Sequence, residues 1–166
     1  MSSFKFIFLI SALLVIHGCG FQPLYGRSSQ AGSPEFSRIK VEAIPDRIGQ
    51  ILHNHLLTAL NPKRRPLKPV YVLNTKLNES TASLSVRKSA FATRANLTVS
   101  ANFNLVRSLD GKSLYSGTAA ITVSYNILDS EFATLSAQKD ARSRALREVS
   151  HGIRNQLGVY FSQIQS

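Results

Sequence analysis

The segment from Ala92 to Arg107 carries the clearest alternation of apolar and polar residues in the chain, unbroken from Ala95 to Leu105. Ala95, Leu97, Val99, Ala101, Phe103 and Leu105 fall on one parity, and Asn96, Thr98, Ser100, Asn102 and Asn104 on the other. Successive side chains of a β-strand point to opposite faces, so the pattern predicts a long strand with one buried face and one solvated face. Asp110-Gly111 then supplies a hairpin turn. The return segment obeys the same rule, with Tyr115, Ala119, Ile121, Val123 and Tyr125 on one side and Ser116, Thr118, Thr122 and Ser124 on the other. Gly117 is expected to mark a bulge or twist point there. Two long strands that are apolar on one face only must be covered on that face, and this requirement organises the rest of the chain.

The remaining segments can supply the cover. Ile39, Val41 and Ala43 alternate with Lys40 and Glu42, a short strand that ends at Pro45. Asp46 is expected to cap a helix whose face carries Ile48, Ile51, Leu52, His55, Leu56 and Ala59, stopped by Asn61-Pro62. A basic loop, Lys63 to Pro69, leads to a strand with Tyr71, Leu73 and Leu77 on one side. Ala82, Leu84 and Val86 sit on the opposite parity, so a turn or bulge is expected near residues 79–81. Asp129 or Ser130 opens a long final helix with Ala141, Ala145, Val149, Ile153, Leu157, Phe161 and Ile164 at four-residue steps. The order β-α-β-β-β-α predicts an α+β fold: a mostly antiparallel four-stranded sheet with two helices packed on one face. The other face would carry rows of Asn, Ser and Thr with few charges.

The N-terminus defines how such a domain is held. A short segment with Lys5 precedes a nearly unbroken apolar run from Phe6 to Ile16, and His17-Gly18-Cys19 follows. This is the order of a secretory signal, and the run is short for a membrane span, which takes about 20 residues. Ile16-His17-Gly18-Cys19 resembles the lipobox of bacterial lipoproteins, with His17 departing from the small or hydroxyl residue usual at its position. Cys19 is the one cysteine, so no disulfide can form within the chain. The resemblance implies cleavage after residue 18 and acylation of Cys19 by a diacylglycerol and an N-linked chain. Gly20 follows, where an Asp would resemble an inner-membrane retention signal, so transfer to the outer membrane is expected. Residues 19–37 read as the lipidated cysteine and an extended linker, and residues 38–166 as one domain. The apolar Phe21, Leu24 and Tyr25 are unusual in a tether and are candidate contacts for a protein wall or for lipid.

The formal net charge is +11, which favours an anionic partner: nucleic acid, anionic headgroups or a phosphorylated glycolipid. Nucleic acid fits poorly, because there is no Trp, no aromatic platform among basic residues, and an export signal. The basic groups able to hold phosphates are Arg87, Lys88 and Arg94 near the turn before the long strand, and Arg64 and Arg65 in the loop. A merely solvated turn is the alternative. No catalytic constellation is evident. His53 and His55 stand two apart on a helix and point to different faces, carboxylates are scattered, and there is no phosphate-binding or nucleophile-elbow motif. No enzyme activity, metal or cofactor is expected beyond the acyl chains on Cys19.

Cys19-Gly20-Phe21-Gln22-Pro23-Leu24-Tyr25-Gly26 resembles the start of the mature LptE family, the lipopolysaccharide-assembly lipoproteins, in its alphaproteobacterial form. Ala92-Thr93-Arg94-Ala95-Asn96-Leu97 before the long strand and the terminal helix from Asp140 to Phe161 are similar as well. The resemblance implies an outer-membrane lipoprotein that sits as a plug inside the barrel protein LptD, assists its assembly, and binds and delivers lipopolysaccharide. It implies lipopolysaccharide binding by basic residues on a strand–turn region, for which Arg87, Lys88 and Arg94 are the nearest positions. A polar, uncharged sheet face suits a barrel interior, which is polar and wet. The competing expectation is an auxiliary lipoprotein of a lipid transporter that hands lipid over without a barrel partner. A pocket between helices and sheet large enough for acyl chains would favour it.

Overall fold

The strand legible in the alternation is β3 (Arg94–Arg107), and its return partner is β4 (Ser113–Asn126). The computed structural model describes residues 34–84 and 94–164. Before β3 lie β1 (Ile39–Val41), α1 (Asp46–Leu60) and β2 (Tyr71–Leu84), and α2 (Glu131–Ile164) follows β4. The sheet order is β1-β2-β3-β4. The β2–β3 and β3–β4 pairs are antiparallel, while β1 runs parallel to β2 from Ile39 opposite Tyr71. The expected α+β architecture is therefore present, with one parallel pairing that follows from the helical crossover between β1 and β2.

The buried parity of β3 is the one expected: Ala95, Leu97, Val99, Ala101, Phe103 and Leu105 are all buried. Against them lie Leu52, Leu56 and Leu60 of α1 and Ala145, Leu146, Val149, Ile153 and Leu157 of α2, in one continuous core. Burial of a Leu or Ile stabilises by about 1.5–3 kcal/mol, so this layer dominates the stability of the fold. Small residues let α2 approach the sheet closely. A Cβ on Gly152 would stand 3.3 Å from the Cβ of Ala119. Ser130 caps α2, its Oγ accepting from the N–H of Ala133 at 3.4 Å. The apolar stripe ends at Phe161, and Ile164 is exposed.

Four local expectations need correction. The first concerns β2, which pairs residue for residue with β3 from Tyr71 to Leu84, without a turn or bulge at 79–81. Residues 80–83 are exposed whichever way they point, so the parity of the sequence there reports no core. The second concerns the hairpin: its irregularity falls between Leu105 and Val106, which pair with Tyr115 and Ser113 and leave Leu114 as the extra residue. Gly117 is instead a point of close approach, as the site geometry makes clear below. Third, Asp46 does not cap α1 with its side chain. The cap position is Pro45, with no side-chain hydrogen bond, and Asp46 takes a left-handed φ of 66°. A capping side chain needs an extended cap residue, whereas here the chain turns sharply so that Ile44 packs on Gly49, where a Cβ would lie 2.7 Å from the Ile44 Cγ2. Finally, residues 34–37, expected in the linker, belong to a 3-10 turn (Pro34–Arg38) that buries Phe36. Its ring meets Phe161 edge-on at 6.0 Å, and its carbonyl accepts from the side chain of Asn61 at 2.9 Å.

Candidate functional site

The helices cover one face of the sheet and leave the other open. Register fixes what that open face presents. Asn74, Asn104 and Ser116 share one cross-strand row; Lys76, Asn102 and Thr118 the next; then Asn78, Ser100 and Ala120; Ser80, Thr98 and Thr122; and Ala82, Asn96 and Ser124. Across these five rows Lys76 is the one charge, and Arg94 closes the end of the array opposite Asn126. Between β3 and β4 the side chains bond laterally. Thr118 and Ser124 donate to Asn102 and Asn96 at 2.7 Å each, Asn104 accepts from both Ser113 and Ser116, and Thr98 bonds Thr122 at 2.9 Å. The carbonyl ends of these asparagines are thus engaged within the face. A surface of amides and hydroxyls with a single charge in five rows can pack on a wet polar wall with little of the desolvation cost that buried charges bring.

The reverse of this face is held rigid. Gln156 of α2 reaches over β4, donating to the carbonyl of Thr118 at 3.0 Å and accepting from the Tyr115 hydroxyl at 3.4 Å. Gly117 sits directly beneath: a Cβ there would lie 2.6 Å from the Gln156 Oε1 and 2.7 Å from the Phe103 Cζ. Further along, Arg142 of α2 grips Glu79 of β2 through two bonds of 2.7 Å each. The hydrogen bonding to Glu79 raises the Arg142 guanidinium above its usual pKa, against the opposing effect of burial. Spacing gave no hint of this pair, because its partners are 63 residues apart and meet only through packing.

Among the sequence-predicted residues, Arg94 lies exposed at the corner where β3 begins. Arg87 and Lys88 lie outside the described residues, as do Cys19, Phe21, Leu24 and Tyr25. Beside that corner the chain leaves β4 at Asn126 and exposes Leu128, Phe132 and Leu135, with Phe132 82 % exposed. Their i, i+4, i+7 spacing off the core stripe was the signal available in the sequence. The two helix histidines diverge: His53 Nδ1 contacts the Glu42 carbonyl at 3.1 Å, and His55 lies toward Arg147 and His151. Burial first, and those two neighbours second, lower the His55 pKa below its ordinary value. Among the described residues no group of His, Cys, Asp and Glu is placed to hold a metal, and no helix is long and apolar enough to cross a membrane.

Fold and face together define a class, an α+β domain with a helix-covered and an open polar side. Solved structures share it. A candidate lipoprotein from Caulobacter crescentus CB15 is similar at 27 % identity and a TM-score of 0.65, over 78 % of this chain and 93 % of that one. A minor lipoprotein from Acinetobacter baumannii (14 % identity, TM-score 0.61) aligns over 75 % and 92 % of the two chains. Rare lipoprotein B from Shewanella oneidensis (11 %, 0.60) aligns over 77 % and 98 %. No curated protein sequence matches the chain. The family described as LptE, lipopolysaccharide-assembly, matches residues 36–157. The chain belongs to this family, and its role lies in lipopolysaccharide assembly.

Proposed function

We propose that this protein is an outer-membrane lipoprotein, anchored by acyl chains on Cys19 after removal of residues 1–18, whose domain plugs the lumen of an LptD-type barrel. There it assists assembly of the barrel and the transport and insertion of lipopolysaccharide, as a binding partner and not as an enzyme. The observation that carries this reading is the open sheet face. Its rows of laterally bonded Asn, Ser and Thr match a polar, water-lined barrel interior better than they match bulk solvent, where charged residues usually abound. Arg94, with Arg87 and Lys88, would hold lipopolysaccharide phosphates through bidentate hydrogen bonds. Phe21, Leu24 and Tyr25 would rest against the barrel wall or lipid.

The shuttle alternative finds less support. A space for acyl chains between helices and sheet would favour it, and that space is filled by Leu52, Leu97, Ile153 and Leu157, each at 0 % exposure. The test is a mild-detergent pull-down of the tagged, lipidated protein, with partners identified by mass. A stoichiometric large barrel protein supports the plug. Recovery of the lipoprotein alone, or with an inner-membrane transporter, sinks it. In the same assay Leu24→Asp/Tyr25→Asp should weaken barrel association, and an unchanged yield would remove these two residues from the contact.

A further inference from the structure

The end of the domain opposite Arg94 combines exposed leucines with uncompensated positive charge. Two loops meet there: the connection from α1 to β2 and the β3–β4 hairpin. The N–H of Ser108 donates to the Val70 carbonyl at 2.8 Å, and the Val70 N–H donates to the Arg38 carbonyl at 3.0 Å, which ties both loops to the 3-10 turn. At their tips Leu67 is 80 % exposed and Leu109 91 % exposed. Around them stand Lys63, Arg64, Arg65, Lys68 and Lys112, all exposed, and none of the five has a carboxylate partner among the described residues. The acidic groups nearby are already engaged: Glu35 with Arg38, Glu42 with Lys40 and Asp110 with Arg107. Behind the loops an aromatic cluster of Phe36, Tyr71, Tyr115, Tyr160 and Phe161, with ring centroids 5.1–6.0 Å apart, makes a firm base.

We propose that this end is a membrane-docking surface, in which Leu67 and Leu109 enter the headgroup region of the leaflet that holds Cys19 while the surrounding cations bind its anionic phospholipids. The chemistry is that of interfacial binding, an apolar tip that inserts and a basic ring that meets negative headgroups. Position on the chain supplies the second argument. The described chain enters at this end, at Pro34, and Cys19 stands fifteen residues earlier in sequence. Fifteen residues span at most about 50 Å even when fully extended, so a lipid on Cys19 confines the domain close to the bilayer. Docking at this end would also direct Arg94 and Phe132 away from the leaflet. The proposal does not depend on the barrel partnership.

The test uses the chain from Cys19 to Ser166, coupled through its one cysteine to vesicles bearing maleimide-lipid, which removes any dependence on enzymatic acylation. The chain has no Trp, so Leu109→Trp and Phe132→Trp each give a single reporter. In vesicles of phosphatidylglycerol with brominated phosphatidylcholine, emission from the Leu109→Trp reporter should shift to the blue and be quenched. The Phe132→Trp reporter should show neither effect. Raised salt, or Lys63→Glu/Arg64→Glu/Lys68→Glu on the exposed loop, should abolish the quenching at position 109. Equal quenching of the two reporters, no quenching at position 109, or quenching of the same size in vesicles of phosphatidylcholine alone would overturn the proposal.

Discussion

At the scale of single residues, neighbours decide what the sequence leaves open. Gly117 reads as a twist point in the sequence, but its lack of a side chain serves Phe103 and Gln156, which close over it. Gly117→Ala should therefore cost about 1–3 kcal/mol, the usual penalty for overpacking, read as a lower denaturant midpoint at unchanged slope. An unaltered midpoint would mean that the ring and the amide move aside freely. His55 makes a pH-dependent contribution whose sign is fixed by its surroundings. Unfolded, it titrates near 6.5, and folded it titrates lower because of burial, Arg147 and His151. Between those two values the unfolded chain binds the extra proton. The contribution is therefore fully present above the unfolded value and is lost as pH falls toward the folded one. His55→Gln should flatten the acid side of a plot of unfolding midpoint against pH. An identical slope in the variant would assign the acid sensitivity to another group.

Individual elements follow their periodicity as far as the core extends, and no further. In β3 every odd residue from Ala95 to Leu105 is buried, so alternation, burial and register agree. In β2 the agreement ends near Glu79, and the strand continues as an exposed ribbon whose registration depends on hydrogen bonds to β3 and on the Glu79–Arg142 grip. Both side chains are about a fifth exposed, at 18 % and 22 %, which leaves the pair worth more than a surface bridge. Glu79→Gln or Arg142→Met should each destabilise by about 1–3 kcal/mol, in keeping with a hydrogen bond to a charged group. The double variant should lose much less than the sum of the two, as measured by a double-mutant cycle. Strict additivity would show that α2 does not hold the far half of β2.

For the whole molecule, the division into a packed side and an open side is the feature on which the proposed plug rests. The core face is covered by α1 and α2, whereas on the open face hydroxyl-to-amide bonds tie β4 to β3. Ser100 lies in the middle of that face, between Asn78 and Ala120. Ser100→Arg should leave unfolding stability within about 0.5 kcal/mol, as expected for a substitution outside the core. On the proposed plug reading its effect should appear in association, with recovery of a barrel partner reduced roughly tenfold if burying the new charge costs about 1.4 kcal/mol. Full recovery of the partner with Ser100→Arg would place the contact surface elsewhere on the domain.

The sequence by itself determined the element order, the buried parity of β3 and β4, the small-residue stripe of α2 and the scarcity of charge on the open face. These are local quantities: side-chain direction repeats every two residues in a strand and about every 3.6 in a helix, so composition along the chain translates directly into faces. The positions of Cys19, Arg87, Lys88 and Arg94 as candidate sites came from motif and charge alone, and of these the structure describes only Arg94, at an exposed corner. Tertiary structure decided what depends on residues far apart in sequence. It placed the bulge at Leu114, carried β2 straight past residue 81, seated Phe36 in the core, joined Glu79 to Arg142, and brought Leu67 and Leu109 to one end of the domain. Each of these is set by close packing or by hydrogen bonding between elements, and neither has a period that a single segment can reveal.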